Sequence, residues 1–193
     1  MDINDFECQL EELTENYLSP ENLKAFYGRV DKDGGLFLNA PAACGFHSAF
    51  EGGLLVHTTR VMNLCAEVYR EHEHKDSINI EILMMAALMH DYGKAFEYDK
   101  DEEDKFFRTE TSKLQGHIYR SAQVAEEIFE LPRDAMEKMV HCILAHHGRL
   151  EFGSPVEPKC LEAVILHCCD YLDAHLNGKK VLENVFVLEE LKK

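Results

Sequence analysis

Residues 78–90 (INIEILMMAALMH) are apolar on nearly every side of a helix and carry one charge, Glu81, yet they lead directly into Asp91. A helix without a polar face belongs in the middle of a domain, so this segment predicts the central buried helix of the fold. It also carries a carboxylate to a place where an ionised group is costly unless it is paired or metal-bound. At 193 residues the chain is long enough for one domain with a sizeable core around such a helix. The break that follows, Asp91-Tyr92-Gly93-Lys94, offers Gly93 as a helix C-cap.

The other periodic segments read as helices that would surround it. Ile3, Phe6, Leu10, Leu13 and Tyr17 recur at helical spacing, and Ser19-Pro20 supplies an N-cap followed by proline at the first helical position. Leu23, Phe26, Tyr27 and Val30 then share one face. After a turn-rich break at 31–35, Leu36-Phe37-Leu38 is short enough to be extended. A stripe at 54, 57, 61, 64, 65 and 68 marks a helix over about 54–73, with His57 inside it. Further helices are predicted at about 117–130, 132–147 and 158–177, opened by Gly116, Pro132 and Pro158 and the last closed by Gly178. The densest charge, DKDEEDK at 99–105, predicts a solvated loop or short hairpin within 96–112, with a recruitment surface as the competing reading. The expected fold is all-α, with an N-terminal helical extension over 1–40, a helical bundle over 41–178 and a C-terminal amphipathic helix over 179–193.

Charge narrows the partners. Twenty Lys+Arg against 36 Asp+Glu leave a net charge of −16, which repels phosphate backbones and disfavours binding of long duplex nucleic acid. A small anionic substrate stays compatible, because a bound cation inverts the local sign. No stretch approaches the ~18–20 apolar residues of a bilayer span. The acidic start MDINDFECQLEEL lacks the basic region and cleavage site of a secretory signal. Seven cysteines, an odd number without a C-x-x-C, read as buried reduced thiols of a cytoplasmic protein.

Eleven histidines matter by position more than by number. His72 and His74 fall in the charged run 71–75 and are expected to face solvent; His175 precedes a helix end, where imidazole favours the dipole. His57, His90, His117, His141, His146, His147 and His167 lie on or at the ends of apolar helices. One such histidine is ordinarily a satisfied core residue. Several of them accompanied by aspartates in apolar runs point to a metal centre. Asp170 lies in LEAVILHCCDYL, where Glu162 is the only other charge, and Lys94 is one turn from Asp91. From His57 to His90 is 33 residues, from Asp91 to His117 is 26, from His117 to His146 is 29 and from His146 to Asp170 is 24. Each interval fits one helix plus a connection, so each group would come from a different helix of a bundle and face one interior. The adjacent pair His90-Asp91 can place an imidazole on one metal while the carboxylate bridges to a second. A mixed imidazole and carboxylate shell without thiolate suits Mn²⁺, Fe²⁺ or Mg²⁺. His141, five residues before His146, turns to another side and reads as core or as a group behind the ligands. His167, three residues before Asp170, either orients that carboxylate or packs.

The pattern His57 … His90-Asp91 … Asp170 resembles the signature of the HD-domain metal-dependent phosphohydrolases, and His117 with His146-His147 resembles their dinuclear subgroup. Longer stretches carry the likeness further: PAACGFHSAFEGGLLVHT (41–58), AALMHDYGK (86–94), KLQGHI (113–118) and LAHHGRLEFGSPVEPKCLEAVILHCCDYLDA (144–174). They look most like the HD domain of bacterial 3′–5′ exoribonucleases that carry an oligonucleotide-binding domain ahead of it. Only about forty helical residues precede Pro41 here, too few and of the wrong pattern for such a five-stranded barrel.

The resemblance implies an HD-domain helical bundle and two divalent metal ions, with manganese favoured. His57, His90, Asp91 and Asp170 would hold the first, and Asp91 would bridge to a second held also by His117 and His146. Lys94 resembles the family's lysine near the substrate phosphate. His147 is a further ligand or a phosphate-facing donor, so Asp91, Lys94 and His147 are the candidate catalytic groups. His47 matches a position near the pocket mouth, and Gly52-Gly53 either lets backbone approach the site or forms a plain turn. The implied activity is hydrolysis of a phosphate ester of a small nucleotide or short oligonucleotide by metal-activated water. Two other classes compete: an HD-type di-iron oxygenase, and a non-catalytic helical module that senses a nucleotide or binds a partner.

Overall fold

The computed structural model of the protein describes residues 2–43, 49–73 and 75–176. Its helices are α1 (Ile3–Tyr17), α2 (Pro20–Lys32), α3 (Leu36–Asn39), α4 (Gly53–Glu71), α5 (Ile80–Met89), α6 (Glu110–Gln115), α7 (His117–Ile128), α8 (Arg133–Ala145) and α9 (Leu161–Leu176). An antiparallel hairpin, β1 (Tyr98–Lys100) with β2 (Phe106–Arg108), lies between α5 and α6 in the chain. The architecture is the all-α bundle expected from the periodicity, with the hairpin spanning the charged run.

The axis of the bundle is α5. Asn79 caps it by accepting from the Ile82 N–H, and every residue from Ile82 to Met89 is buried. Helices α4, α8 and α9 pack around it, with α1 and α7 against further sides, so no side of α5 needs a polar face. Burying each Leu or Met there stabilises the fold by about 1.5–3 kcal/mol relative to leaving it exposed. The single charge sits near the N-terminal end of α5, where the Glu81 carboxylate accepts from the Ser19 N–H and the Asn22 amide.

The first forty residues share this core. Phe6, Leu10 and Leu13 from α1 and Phe26 and Val30 from α2 join Leu54, Leu55 and Met62 of α4 in one apolar cluster. Their influence on the site runs through Tyr92. Its ring stacks on Phe37 at 5.2 Å and 8° and meets Phe26 edge-on, while its hydroxyl donates to Asp33 at 3.0 Å. Arg29 in turn holds Asp33 at 2.7 Å. These contacts pin the 3-10 turn Tyr92–Phe96 that immediately follows Asp91, and so they place Lys94.

Several local expectations are corrected. Leu36-Phe37-Leu38 is not extended but forms one helical turn, which carries Phe37 into the core. Residues 110–115 are helical, started by Thr109, whose hydroxyl accepts from the Ser112 N–H. Gly93 does not cap α5, which ends at His90; a Cβ at Gly93 would lie 2.3 Å from the His117 carbonyl, so its bareness lets α7 come close. Gly52 has φ +79, precedes α4 as its cap and abuts Ile3, so the glycine pair serves a turn. Of the described cysteines, all free, Cys65, Cys142 and Cys169 are buried, whereas Cys8 and Cys168 are exposed. Cys44, His47, His74, Gly178 and the helix expected over 179–193 lie outside the described residues. Among those described, no helix is long and apolar enough to cross a membrane.

Candidate metal centre

Five segments converge on Asp91. His57 comes from the first turns of α4, His90 and Asp91 from the end of α5, His117 from the first residue of α7, His146 and His147 from the end of α8, and Asp170 from the middle of α9. One carboxylate oxygen of Asp91, Oδ2, lies 3.4 Å from His57 Nε2 and 3.5 Å from His90 Nε2. The other, Oδ1, lies 3.3 Å from His117 Nε2 and 3.6 Å from His146 Nε2. Asp170 Oδ1 completes the first side, 3.1 Å from His57 Nε2 and 3.8 Å from His90 Nε2. Two groups could therefore each hold a metal ion: His57, His90 and Asp170 on one side of Asp91, and His117, His146 and His147 on the other.

The imidazoles are oriented from behind. His57 Nδ1 donates to Asp173 at 2.7 Å, His90 Nδ1 to the Ala87 carbonyl at 2.7 Å and His146 Nδ1 to the Ile143 carbonyl at 2.6 Å. His147 Nδ1 donates to the Phe152 carbonyl at 2.9 Å, and His117 Nδ1 faces Glu97 at 3.8 Å. With Nδ1 carrying the proton, Nε2 of each neutral imidazole is a lone-pair acceptor aimed inward, the pattern of imidazoles prepared to ligate.

The inward-facing atoms fit cations. Asp91 Oδ1, His117 Nε2 and His146 Nε2 are buried without a hydrogen-bond partner. Three acceptors facing one another with no donor between them is an arrangement that buried polar groups avoid, and a bound cation satisfies it. The charge balance agrees. Asp91, Asp170 and Asp173 surround His57, while Lys94 Nζ, 2.6 Å from Asp91 Oδ2, supplies the nearby lysine charge.

Protonation follows burial and neighbours. Burial presses His57 toward its neutral form, but the carboxylates of Asp170, Asp173 and Asp91 together outweigh it and hold the imidazole well above its ordinary range. Burial prevails at His90, pushed down to about 3, at His147, pushed down to about 4, and at His117, which is lowered. Burial also opposes ionisation of Asp91, but Lys94 and His90 outweigh it, and at Asp170 His57 does the same; both carboxylates stay ionised below the usual range.

Every group singled out around Asp91 in the sequence thus lies at one place, whereas His141 and His167 join neither metal-holding group, although His167 lines the same hollow as Asp91 and Asp170. His141 Nε2 accepts from the Lys159 N–H, fixing the approach to α9. His167 does not reach back to orient Asp170: its Nδ1 donates to the His146 carbonyl at 2.8 Å, and its ring fills the space where a Cβ of Gly148 (φ +79) would stand. Two carboxylates were missed. Asp173, one helical turn after Asp170, carried a spacing signal; Glu97, just ahead of the acidic run, carried none.

Comparison with known proteins places the arrangement. The chain is 35% identical over 151 residues to the 3'-5' exoribonuclease YhaM of Bacillus licheniformis, covering 77% of this chain and 46% of that protein. It is 34% identical over 154 residues to YhaM of Bacillus subtilis, covering 77% and 46%. The chain spans about half the length of the curated relatives it matches. No solved structure matches it. Residues 54–175, which bear every group around Asp91, match the HD domain, and the chain belongs to the HD domain family.

Proposed function

We propose that the protein is a metal-dependent phosphohydrolase acting on a phosphate ester of a small nucleotide or short oligonucleotide. The observation that carries this reading is the set of inward-facing acceptors around Asp91, unpartnered and buried, beside the ammonium of Lys94. The similarity to exoribonucleases supports a nucleotide ester, and the net charge of −16 favours a short substrate over a long duplex. Residues 41–178 form the catalytic unit in this reading, with 1–40 as a helical extension, 179–193 as a C-terminal helix and the cytoplasm as the compartment.

His57, His90 and Asp170 would hold one divalent ion and His117, His146 and His147 the other, with Asp91 shared between them. Manganese is favoured over iron and magnesium. Such ions lower the pKa of water and offset charge on a phosphoryl oxygen. The chain's own groups do the rest. Asp173, Glu97 and the carbonyls of Ala87, Ile143 and Phe152 hold the imidazoles in the ligating tautomer. Lys94, partly exposed beside Asp91, adds positive charge where the non-bridging phosphoryl oxygens would lie, a role that favours phosphate chemistry over oxygenation. Hydrolysis forms one P–O bond from water and breaks the ester P–O bond, and the water's proton ends on the departing alcohol.

Purified protein supplied with Mn²⁺ is expected to release p-nitrophenol from bis-p-nitrophenyl phosphate and to stop on addition of EDTA. Absence of turnover, or turnover indifferent to the chelator, would refute the assignment.

A further inference from the structure

Two hollows meet over the centre. One, of about 410 Å³, has the buried Asp91 and the partly exposed Asp170 at its base and the half-exposed ring of Tyr171 along its wall. The other, of about 340 Å³, opens on the His117 side and carries Arg108 and the exposed ring of Tyr119. His147 and Phe152 line both. A phosphate placed at Asp91 and Lys94 therefore has room for a substituent on each side, where a monoester would need only one.

The aromatic groups are held for contact, not merely left outside. Phe152 is 54% exposed, yet it sits on a closely hydrogen-bonded turn: its N–H donates to the Arg149 carbonyl, its carbonyl holds His147, and Gly153 at φ +88 turns the chain away behind it. Tyr171 is stacked on His175 at 3.8 Å and 25°, one helical turn along α9, so its ring is oriented before anything binds. Ordered, exposed rings beside a phosphate site provide faces on which nucleobases stack. Arg108, tied to Glu97 at 2.9 Å and 46% exposed at its side chain, supplies the second hollow with a cation for a further phosphate.

We propose that this cleft is a two-sided subsite for an internucleotide phosphodiester. One nucleoside stacks on Tyr171 in the first hollow, the nucleotide across the scissile phosphate lies in the Arg108 hollow, and Phe152 stands as a wedge between the two bases. The proposal rests on the phosphohydrolase reading for the position of the phosphate, and it makes Tyr171 and Phe152 positioning residues that select diesters over monoesters.

The test uses a 2-aminopurine–adenine dinucleotide with a non-hydrolysable methylenephosphonate linkage, titrated into protein of matched metal content. Stacking quenches the 2-aminopurine fluorescence, which reads out binding without turnover. The dinucleotide is expected to bind at least about tenfold tighter than 2-aminopurine riboside monophosphate, with Tyr171→Ala and Phe152→Ala each weakening it about tenfold and Tyr171→Phe restoring it. With adenylyl-adenosine as substrate, the two alanine variants should raise KM about tenfold and alter kcat by less than about threefold, since stacking acts on binding. Equal binding of mono- and dinucleotide, or unaltered quenching in both alanine variants, would overturn the subsite. Should bis-p-nitrophenyl phosphate be hydrolysed in that case, only the subsite falls. Conversely, Tyr171-dependent dinucleotide binding in a protein that hydrolyses no diester would uphold the subsite and remove the phosphohydrolase reading.

Discussion

The two sides of Asp91 are built differently. His57, His90 and Asp170 form an inner set enclosed by α4, α5 and α9, in which both imidazoles are fully buried and one is backed by the carboxylate of Asp173. His117, His146 and His147 form an outer set at the ends of α7 and α8, where His117 and His147 border the open hollows and the third group is an imidazole instead of a carboxylate. The inner set includes a carboxylate and two fully buried imidazoles; the outer set is three imidazoles, of which only His146 is fully buried. The difference teaches that two similar triads in one bundle can hold metal unequally: in our reading the inner ion binds tightly and the outer one exchanges.

The largest effect should come from the group that both sides share. Asp91→Ala is expected to lower phosphodiester hydrolysis by about a thousandfold or more, within the range that loss of preorganised electrostatics produces, and to reduce bound metal on both sides. Metal analysis after gel filtration then separates the sets: His57→Ala should cost the tightly held ion, whereas His147→Ala should cost only the weaker one. Equal losses from both variants would erase the distinction.

The groups behind the imidazoles sharpen it. Asp173→Asn removes the anionic acceptor of a fully buried histidine and should weaken the inner ion about 10–100-fold. Glu97→Gln acts on a 3.8 Å contact already shared with Arg108, and should weaken the outer ion by about threefold, below that range. Competition with a fluorescent chelator measures both, and the reverse order would break the comparison.

The smallest effect is on acid stability in the metal-free protein. His147 is held at about 4 and His90 at about 3 in the folded chain, against about 6.5 when unfolded. Groups lowered in this way contribute stability that is complete above about pH 6.5 and lost as the pH falls toward their folded values. His57 is raised, so its contribution is complete below about pH 6.5 and lost as the pH rises through its folded value. The inner histidines therefore oppose one another, while His117 and His147 in the outer set are both lowered. Thermal melts should show Tm falling by about 3–6 °C from pH 6.5 to 4.5, and His147→Gln should flatten that fall.

Much of this was legible in the residues themselves. The all-round apolarity of 78–90 foretold a buried helix, and its abrupt end at His90-Asp91 marked where charge enters the core. The intervals between His57, Asp91, His117, His146 and Asp170 foretold one group per helix. Glu97 was invisible because nothing local distinguishes it from the many acidic residues of the hairpin that follows it. The partners of His141 and His167 were equally hidden, since a helix face is known from spacing but the element opposite it is not. Leu36–Asn39 defeated the local reading because four residues carry too little periodicity to separate a turn of helix from a strand.

Sequence by itself determined the long helices and the central buried one among them, because helical period, capping and the cost of an isolated charge are local or additive properties. Only the tertiary structure decided that Asp91 gives one oxygen to each histidine group, that His147 belongs with His117 and His146, and that α2 and α3 brace the site through Tyr92 and Phe37. Those facts depend on distances between segments far apart in the chain, which are set by how whole helices pack against α5 and by no residue's immediate neighbours.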